Sequence, residues 1–400
     1  MTTRTDGRAD TAAAGNVIDT APRRSGPAAG RRSPTVGALP RTDREGDGAA
    51  LRVAVVAPPW LELPPDAYGG VESMCSDLVD ALVDRGVAVT LLAPGRHGTA
   101  AAFRPTGPTA DPRLMGQALP EVVHAAQLPE LLMDLCVDVV HDNTLAGPLV
   151  AGSHGLPTVV TAHGPVQGDL GSYYRTLSRR ASLVALSDAQ RAHLPSARWA
   201  ATVPNGVRPE RFPFRATKDG YALFLGRMSP DKGPVWAIDA ARAAGLPLVL
   251  AAKCREDAEK AYFEDNVEPL LGGAVEWIGE VGGQQKHDLL AGARCLLFPI
   301  DWEEPFGMVM IEAMACGTPV VALRRGAVPE VVDHGRTGWV CDRPAELPAA
   351  LLRAAEIDPR ACRAAVEDRF SAAALAAGYE RVYRQVAASG GPPAAARPAS

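Results

Sequence analysis

The sequence predicts an α/β protein with two doubly wound parallel-sheet domains that face each other across a cleft. Short β-branched apolar runs alternate with amphipathic segments of helical periodicity, as in parallel strands that helices cover on both faces. This alternation begins at Leu51, stops at a linker over 205–214, and then starts again. The region that shows it, 51–389, is long enough for two domains of ordinary size.

The first half of this region contains several strand-like runs and one clear helix. The runs lie at 52–58, 87–94, 137–143, 157–164, 182–187 and 201–206. They are nearly continuous and rich in β-branched residues, which is typical of strands buried on both faces. The segment 71–86 has apolar residues at helical spacing and ends at Gly86, which predicts a helix with a glycine stop.

The second half repeats the pattern after the linker. Its strand-like runs lie at 221–227, 247–253, 274–280, 294–300 and 319–323, with helix-like segments at 234–245 and 284–293. In open parallel sheets, ligands bind outside the carboxyl ends of the strands. Two such sheets in one chain therefore predict a binding site in the cleft between them.

The two ends of the chain differ from the middle. Residues 1–50 and 390–400 are rich in Ala, Gly, Arg, Ser and Pro and contain very few large apolar side chains. Such segments bury too little surface to offset the entropy lost on ordering, so we expect both to be disordered. The predicted organisation is a tail over 1–50, a first domain over 51–208, a second over 209–369, closing helices over 370–389 and a tail over 390–400.

Deletion of residues 1–50 is expected to leave the melting temperature and donor binding nearly unchanged, because this segment lacks core-forming side chains. The check is thermal unfolding of the truncated and full chains, with and without ligand. A large loss of folded protein on deletion would refute the disordered reading.

Composition excludes several classes of protein. No stretch approaches the roughly 20 apolar residues of a membrane span, and the charged start "MTTRTDGRAD" is unlike a secretory signal. The seven cysteines are scattered and never form CxxC, which favours reduced thiols in a cytosol over disulfides or zinc. The net charge of −5 argues against general nucleic-acid binding. We expect a cytoplasmic protein, with peripheral contact at the inner membrane face left open.

The stretch "EEPFGMVMIEAMACGTPVVA" places Glu304 and Glu312 eight positions apart. Pro305 disfavours helical dihedrals at Glu304, which therefore belongs to a loop. Gly307 allows close approach of the backbone to a ligand, and the amides near 306–309 begin a helix that could bind an anion. On one helix the two acids would lie about 80° apart, so they are not a pair on one face. Alone, they leave open that Glu312 is simply a polar residue on an apolar helix.

Four separated motifs, taken in order, resemble glycosyltransferase family 4, which has the GT-B fold with two Rossmann-like domains. The motifs are "AYGGVE" at 67–72, "TAHG" at 161–164, "GRMSPDKG" at 226–233 and the E-x7-E of 304–312, followed by "GAVPEVVDHGRTGWV". The resemblance covers about 51–385. It implies a retaining hexosyltransferase (EC 2.4) that uses a UDP- or GDP-sugar as co-substrate. The sequence has no Asp-x-Asp and no His/Cys/Asp cluster at metal spacing, so we expect no metal or other cofactor.

The resemblance assigns the donor side to the second domain. It implies that Arg227 and Lys232 clamp the diphosphate, that Glu312 binds the ribose and that Glu304 lies by the donor sugar. His163 would contact the same sugar, and we expect it, Glu304 and the two cations to carry catalysis. Further nucleotide contacts are expected at Glu280, Val281, Phe306, Gly307 and Met308.

The acceptor side is expected in the first domain. Gly69 and Gly70 would leave room for phosphate or acceptor, and the tight strand–helix turn that we expect there does not exclude this role. His141 and Asp142 end the strand before that of His163 and are expected to face the cleft as acceptor-side residues. The segment 171–180 mixes aromatics and arginines, which leaves open an acceptor contact, an anionic membrane surface or a partly exposed helix.

The same residues bear on the expected mechanism, the expected partners and the alternative functions. No protein nucleophile is apparent, and in the family the donor phosphate itself is thought to take the acceptor's proton. The expected partners are the nucleotide sugar and a sugar, lipid or small-molecule acceptor, with no nucleic acid and no stable protein partner. The rivals are a sugar-nucleotide 2-epimerase on the same fold and a sugar-nucleotide-binding protein without catalysis. NAD-dependent chemistry is disfavoured because no GxGxxG follows the first strand.

Overall fold

The computed structural model describes residues 50–65, 69–107 and 109–390. Apart from Ala50 and Gly390, the predicted tails lie outside the described residues, as do Ala67 and Tyr68 of the first motif. Among the helices that these ranges contain, none combines the length and apolar character that a membrane crossing requires.

The first half of the described chain forms a seven-stranded parallel sheet. Its strands are β1 Arg52–Val56, β2 Ala88–Ala93, β3 Ala102–Pro105, β4 Val139–Asp142, β5 Thr158–Thr161, β6 Ser182–Ala185 and β7 Trp199–Thr202. Their order across the sheet is 3-2-1-4-5-6-7. The six predicted runs are all present, and β3 is additional. It is an edge strand with partly exposed side chains, so it lacks the apolar run by which the others are recognised.

The second half forms a six-stranded parallel sheet. Its strands are β8 Ala222–Arg227, β9 Leu248–Lys253, β10 Val275–Trp277, β11 Cys295–Phe298, β12 Val320–Leu323 and β13 Gly338–Cys341, in the order 10-9-8-11-12-13. The sequence predicted all of these strands except β13. The fold is therefore the predicted pair of doubly wound sheets.

Helices cover both sheets. They are α1 Gly70–Asp84, α2 Ala118–Met133, α3 Ala151–His154, α4 Gly168–Leu177, α5 Asp188–Ala192, α6 Pro234–Ala244, α7 Asp257–Tyr262, α8 Gly283–Gly292, α9 Met308–Ala315, α10 Val328–Val331, α11 Leu347–Arg353, α12 Pro359–Arg369 and α13 Ala372–Ala388. Glu304 lies in the loop between β11 and α9, as Pro305 predicted.

The last helix returns from the second domain to the first. Leu375, Tyr379, Tyr383 and Val386 of α13 are buried in one core with α1 and strands of the first sheet. The two crossings of the chain lie side by side, because Val207 bonds through its backbone with Phe370 at 2.9 Å and with Ala372 at 2.7 Å. These paired crossings form the only covalent connection between the two domains within the described residues.

Candidate active site

A cavity of about 390 Å³ lies between the two sheets, where the carboxyl ends of their strands face each other. Residues of both domains line it. From the first domain come Gly69, Gly70 and His163, and from the second come Arg227, Lys232, Val281, Glu304, Phe306, Gly307, Met308 and Glu312. The structure thus brings together residues from all four sequence motifs.

The two predicted phosphate-binding cations are each paired with a carboxylate. Lys232 Nζ lies 2.9 Å from Glu304 Oε2, and both side chains are largely buried. Arg227 lies 3.4 Å from Asp231 in the same turn. The turn itself requires glycine at 233, where φ is +71° and a Cβ would lie 2.1 Å from the carbonyl oxygen of Pro299. Arg227 ends β8, Lys232 follows the turn, and both line the cavity. An anion in the cavity can therefore contact both cations.

Glu312 also has a cationic partner, and this one was missed in the sequence. Lys286 Nζ donates to Glu312 Oε1 at 2.7 Å, and both residues line the cavity. Lys286 lies on α8, in a segment that the sequence identified only as a helix. No spacing rule relates a lysine on one helix to an acid on the next, so only the packing of α8 beside α9 reveals the pair.

His163 lies in the cavity wall and has one hydrogen-bond partner among the described side chains. Its Nε2 lies 2.9 Å from Oδ1 of Asn143, whose amide nitrogen donates to the carbonyl oxygen of Val56. The amide thereby keeps its oxygen towards the histidine. Desolvation lowers the pKa of His163 to about 4, so the imidazole is neutral near pH 7. A neutral ring can donate a hydrogen bond, but it supplies no charge.

The expectation that His141 and Asp142 face the cleft is wrong. His141 is fully buried, with Nε2 2.8 Å from the Thr161 hydroxyl and Nδ1 2.7 Å from that of Tyr383. The Asp142 carboxylate is 2% exposed and accepts from the backbone and hydroxyl of Thr144. Burial lowers the pKa of His141 to about 3 and raises that of Asp142 to about 7. Both belong to the end of β4, which helices cover on either face, and so neither reaches the cleft.

The two glycines of the first motif have different surroundings. A Cβ at Gly69 would lie 2.5 Å from Cδ1 of Leu61, so the leucine side chain would have to shift to make room for one. A Cβ at Gly70 would meet nothing within 4 Å. Both glycines line the cavity, and Gly70 borders open space there, so their contact with phosphate or acceptor stays a prediction.

The remaining predicted nucleotide contacts surround the start of α9 and the loop after β10. Gly307 has a φ of +85° and directly precedes α9. Gly307 and Met308 both line the cavity, so the first amides of α9 lie at its wall. Val281 lines the cavity, whereas the carboxylate of Glu280 lies 2.6 Å from Arg255. Glu280 itself is not among the residues that line the cavity, so its contact with a base stays a prediction.

Two protein-family models match the chain, one for each domain. Residues 68–211 match a model described as Glycosyltransferase Family 4, and residues 208–370 match one described as Glycosyl transferases group 1. The matches meet at the predicted linker and together span both walls of the cavity.

Individual proteins with related sequences or structures agree with these matches. An alpha-maltose-1-phosphate synthase of Mycobacterium tuberculosis (strain ATCC 25618 / H37Rv) is 30% identical over 338 residues, which cover 72% of this chain and 84% of that protein. A phosphatidyl-myo-inositol mannosyltransferase of Mycobacterium leprae (strain TN) is 28% identical over 392 residues, covering 85% and 98% respectively. The structure of Anabaena Alr3699/HepE in complex with UDP-glucose has a TM-score of 0.65 at 18% identity, over 84% of this chain and 100% of that one. This last likeness is one of fold.

Proposed function

Because the chain belongs to glycosyltransferase family 4 and has the GT-B fold, we propose that it moves a sugar from a UDP- or GDP-sugar to an acceptor with retained anomeric configuration. The chain is thus a glycosyltransferase, of class EC 2.4. One observation carries the finer proposal: Arg227, Lys232, Glu304 and Glu312, from motifs far apart in sequence, line a single cavity between the domains.

The donor's diphosphate would bind beside Arg227 and Lys232. Each cation now has one carboxylate partner, at 3.4 Å and 2.9 Å, and an ammonium or guanidinium has further donors to offer a phosphate. The amides at the start of α9 supply additional donors to the same anion. As the bond to the anomeric carbon breaks, these groups would stabilise the negative charge that develops on the leaving diphosphate.

The rest of the donor would be held by the two glutamates. Lys286 occupies Oε1 of Glu312, which leaves Oε2 to accept from a ribose hydroxyl. Glu304 is already bonded to the phosphate-binding Lys232, so its position suits the sugar that follows the diphosphate. There it would accept from a ring hydroxyl and favour the positive charge that develops at the anomeric carbon.

We propose that no protein group takes the acceptor's proton. The bond between the anomeric carbon and the diphosphate oxygen breaks, the acceptor oxygen attacks from the same face, and its proton passes to the leaving phosphate. His163, neutral near pH 7, donates from Nε2 to Asn143 and would therefore accept from a hydroxyl of the donor sugar at Nδ1. Closure of the cleft would exclude water, which competes as an acceptor.

The acceptor is proposed to enter along the first-domain wall, beside Gly70 and His163. It would be a sugar, a lipid or another small molecule, and the activity named for the Mycobacterium leprae relative makes a lipid worth testing first. Peripheral contact with the inner membrane face is part of this proposal. Tyr174 of α4 is buried, so such contact through 171–180 would rest on the exposed Arg175, Arg179 and Arg180.

Substitution of the two glutamates is expected to separate nucleotide binding from turnover. Glu312→Ala should mainly weaken binding of free UDP or GDP, because its proposed partner is the ribose. Glu304→Gln should lower turnover more than nucleotide affinity, because its proposed partner is the sugar. Calorimetric titration with the nucleotide and an assay of donor turnover measure the two effects. The assignment is wrong if both variants weaken the free nucleotide equally and leave turnover unchanged.

Lys286→Met is expected to raise the dissociation constant of the nucleotide about tenfold or more. Lys286 orients Glu312, and the proposed hydrogen bond from the ribose to this charged carboxylate would contribute about 1.5–3 kcal/mol. The change removes a cation from the cavity and leaves Glu312 without the group that orients it. Lys260→Met is the matched control, because Lys260 pairs with Asp257 on an exposed surface. Equal affinities of the two variants for UDP and GDP would remove Lys286 from the donor site.

A further inference from the structure

The first domain touches the second directly beside the loop that holds Glu304. Ser187 precedes α5 and is 1% exposed, and its hydroxyl donates to the carbonyl oxygen of Pro305 at 2.8 Å. The same hydroxyl accepts a hydrogen bond from the backbone N–H of Gln190, and Ser187 thereby caps the N-terminus of α5. Because Pro305 follows Glu304, a side chain of the first domain holds the backbone of this loop.

A second contact across the cleft lies next to the first. Both carboxylate oxygens of Glu330, on α10 of the second domain, accept backbone hydrogens at the start of α5. The donors are Asp188, at 2.9 Å, and Ala189, at 2.7 Å. These N–H groups have no partner within their own helix, and a negative charge is favourable at this end of it. Glu330 is thus the cap that the other domain supplies to α5.

The loop and α10 are joined within the second domain. Ala327 donates to the carbonyl oxygen of Glu304 at 2.9 Å, and Gly326 donates to the Glu303 carboxylate at 2.7 Å. Gly326 has a φ of +50°, and a Cβ there would lie 2.2 Å from the carbonyl oxygen of Glu304. The two segments therefore pack too closely to shift independently. We therefore expect a displacement of α10 to displace the backbone of Glu304 as well.

We propose that Glu330 is a positioning residue, which docks the Glu304 loop on α5 and places Glu304 correctly only when the cleft is closed. Its two bonds join segments on opposite sides of the cleft, so they break when the domains separate. They lie beside the cavity, whereas the chain passes between the domains near Val207 and Ser371, which form a hydrogen-bonded bridge. The inference rests on the proposed role of Glu304 at the donor sugar. The inference adds Glu330, which is not among the residues that line the cavity, as a residue on which the role of Glu304 depends.

The test compares Glu330→Ala and Glu330→Gln with Glu356→Ala, a control in which an exposed glutamate of the second domain loses its partner Arg353. Turnover is followed as release of nucleotide diphosphate from the donor in the presence of an acceptor that the unsubstituted chain glycosylates, with release in water alone subtracted. We expect Glu330→Ala to lower turnover about 10- to 100-fold, as misplacement of a substrate-binding group does. Glu330→Gln should lower it less, because the amide retains one acceptor oxygen. The dissociation constant of the free nucleotide should stay within about twofold, because its proposed contacts all lie in the second domain.

A double-mutant cycle with Glu304→Gln decides whether Glu330 acts through the loop. We expect the effect of Glu330→Ala to shrink strongly in the Glu304→Gln background. An undiminished effect there, or a loss of nucleotide affinity in step with turnover, would overturn the positioning role.

X-ray scattering of the proteins without ligand gives a readout that does not depend on sugar transfer. The radius of gyration of Glu330→Ala should exceed that of the unsubstituted chain, because the substitution removes two hydrogen bonds that join the domains. Equal radii would overturn the proposed docking even if transfer were demonstrated. Absence of turnover in the unsubstituted chain would count against the proposed function alone.

Discussion

Arg227→Ala and Lys232→Ala are each expected to lower donor turnover by a factor of about 10² to 10³, because loss of one preorganised charge donor costs about 3–4 kcal/mol at the transition state. The leaving diphosphate gains negative charge as its bond to the sugar breaks. Both cations line the cavity, on either side of the turn after β8. We further expect excess EDTA to change the rate little, because these two cations and the α9 amides are proposed to do what a divalent metal does in other sugar transferases.

The controls for this prediction are cations of the same type outside the cavity. Arg343→Ala removes an exposed guanidinium paired with Glu346, and Lys260→Met removes an exposed ammonium. Both should keep turnover within a factor of about two, since surface ion pairs contribute little. Complete loss of activity in EDTA that Mg²⁺ or Mn²⁺ restores would contradict the account. It would show that a metal, rather than Arg227 and Lys232, is the main source of charge stabilisation.

Tyr383→Ala is expected to lower the free energy of unfolding by about 3–5 kcal/mol, as truncation of a large buried aromatic side chain does. Tyr383 is fully buried on α13 and bonds with Nδ1 of His141 at 2.7 Å. His141 in turn bonds with Thr161, whose hydroxyl lies 2.6 Å from that of Tyr379. The substitution therefore leaves a cavity and removes one partner from a buried polar network that joins α13 to β4 and β5.

Denaturant unfolding of three variants tests this role of α13. Tyr383→Phe keeps most of the volume but leaves Nδ1 of His141 unpaired, which should cost about 1–3 kcal/mol. Arg384→Ala alters the neighbouring exposed residue and should change the free energy of unfolding by less than about 0.5 kcal/mol. A loss below about 1 kcal/mol for Tyr383→Ala would mean that the return of α13 contributes little to the first domain.

The sequence was informative wherever one local rule determined the outcome. Apolar runs located the buried strands, and the dihedral restriction before Pro305 placed Glu304 in a loop. Motif order then identified the residues that line the cavity. Each of these inferences depends on residues that are close together in the chain, or on a pattern that the whole family shares.

The sequence failed where the outcome depends on packing between distant segments. His141 and Asp142 end a strand that points towards the cleft, but α13, which lies more than 200 residues away, covers His141. Lys286 and Asn143 were missed because each acts through one partner, Glu312 or His163, whose proximity only the folded chain reveals. The contact of Glu330 with α5 was missed for the same reason.

Thermal unfolding with a panel of nucleotide-diphosphate sugars tests the central claim most directly, which is that the cleft binds a donor through Arg227, Lys232 and Glu312. A donor present at 100 times its dissociation constant should stabilise the folded chain by about 2.7 kcal/mol. We expect at least one UDP- or GDP-sugar to raise the melting temperature of the unsubstituted chain. The same concentration should leave that of a Lys232→Ala Glu312→Ala double variant nearly unchanged. The account is contradicted if every sugar nucleotide leaves the melting temperature unchanged, or if the double variant is stabilised as much as the unsubstituted chain.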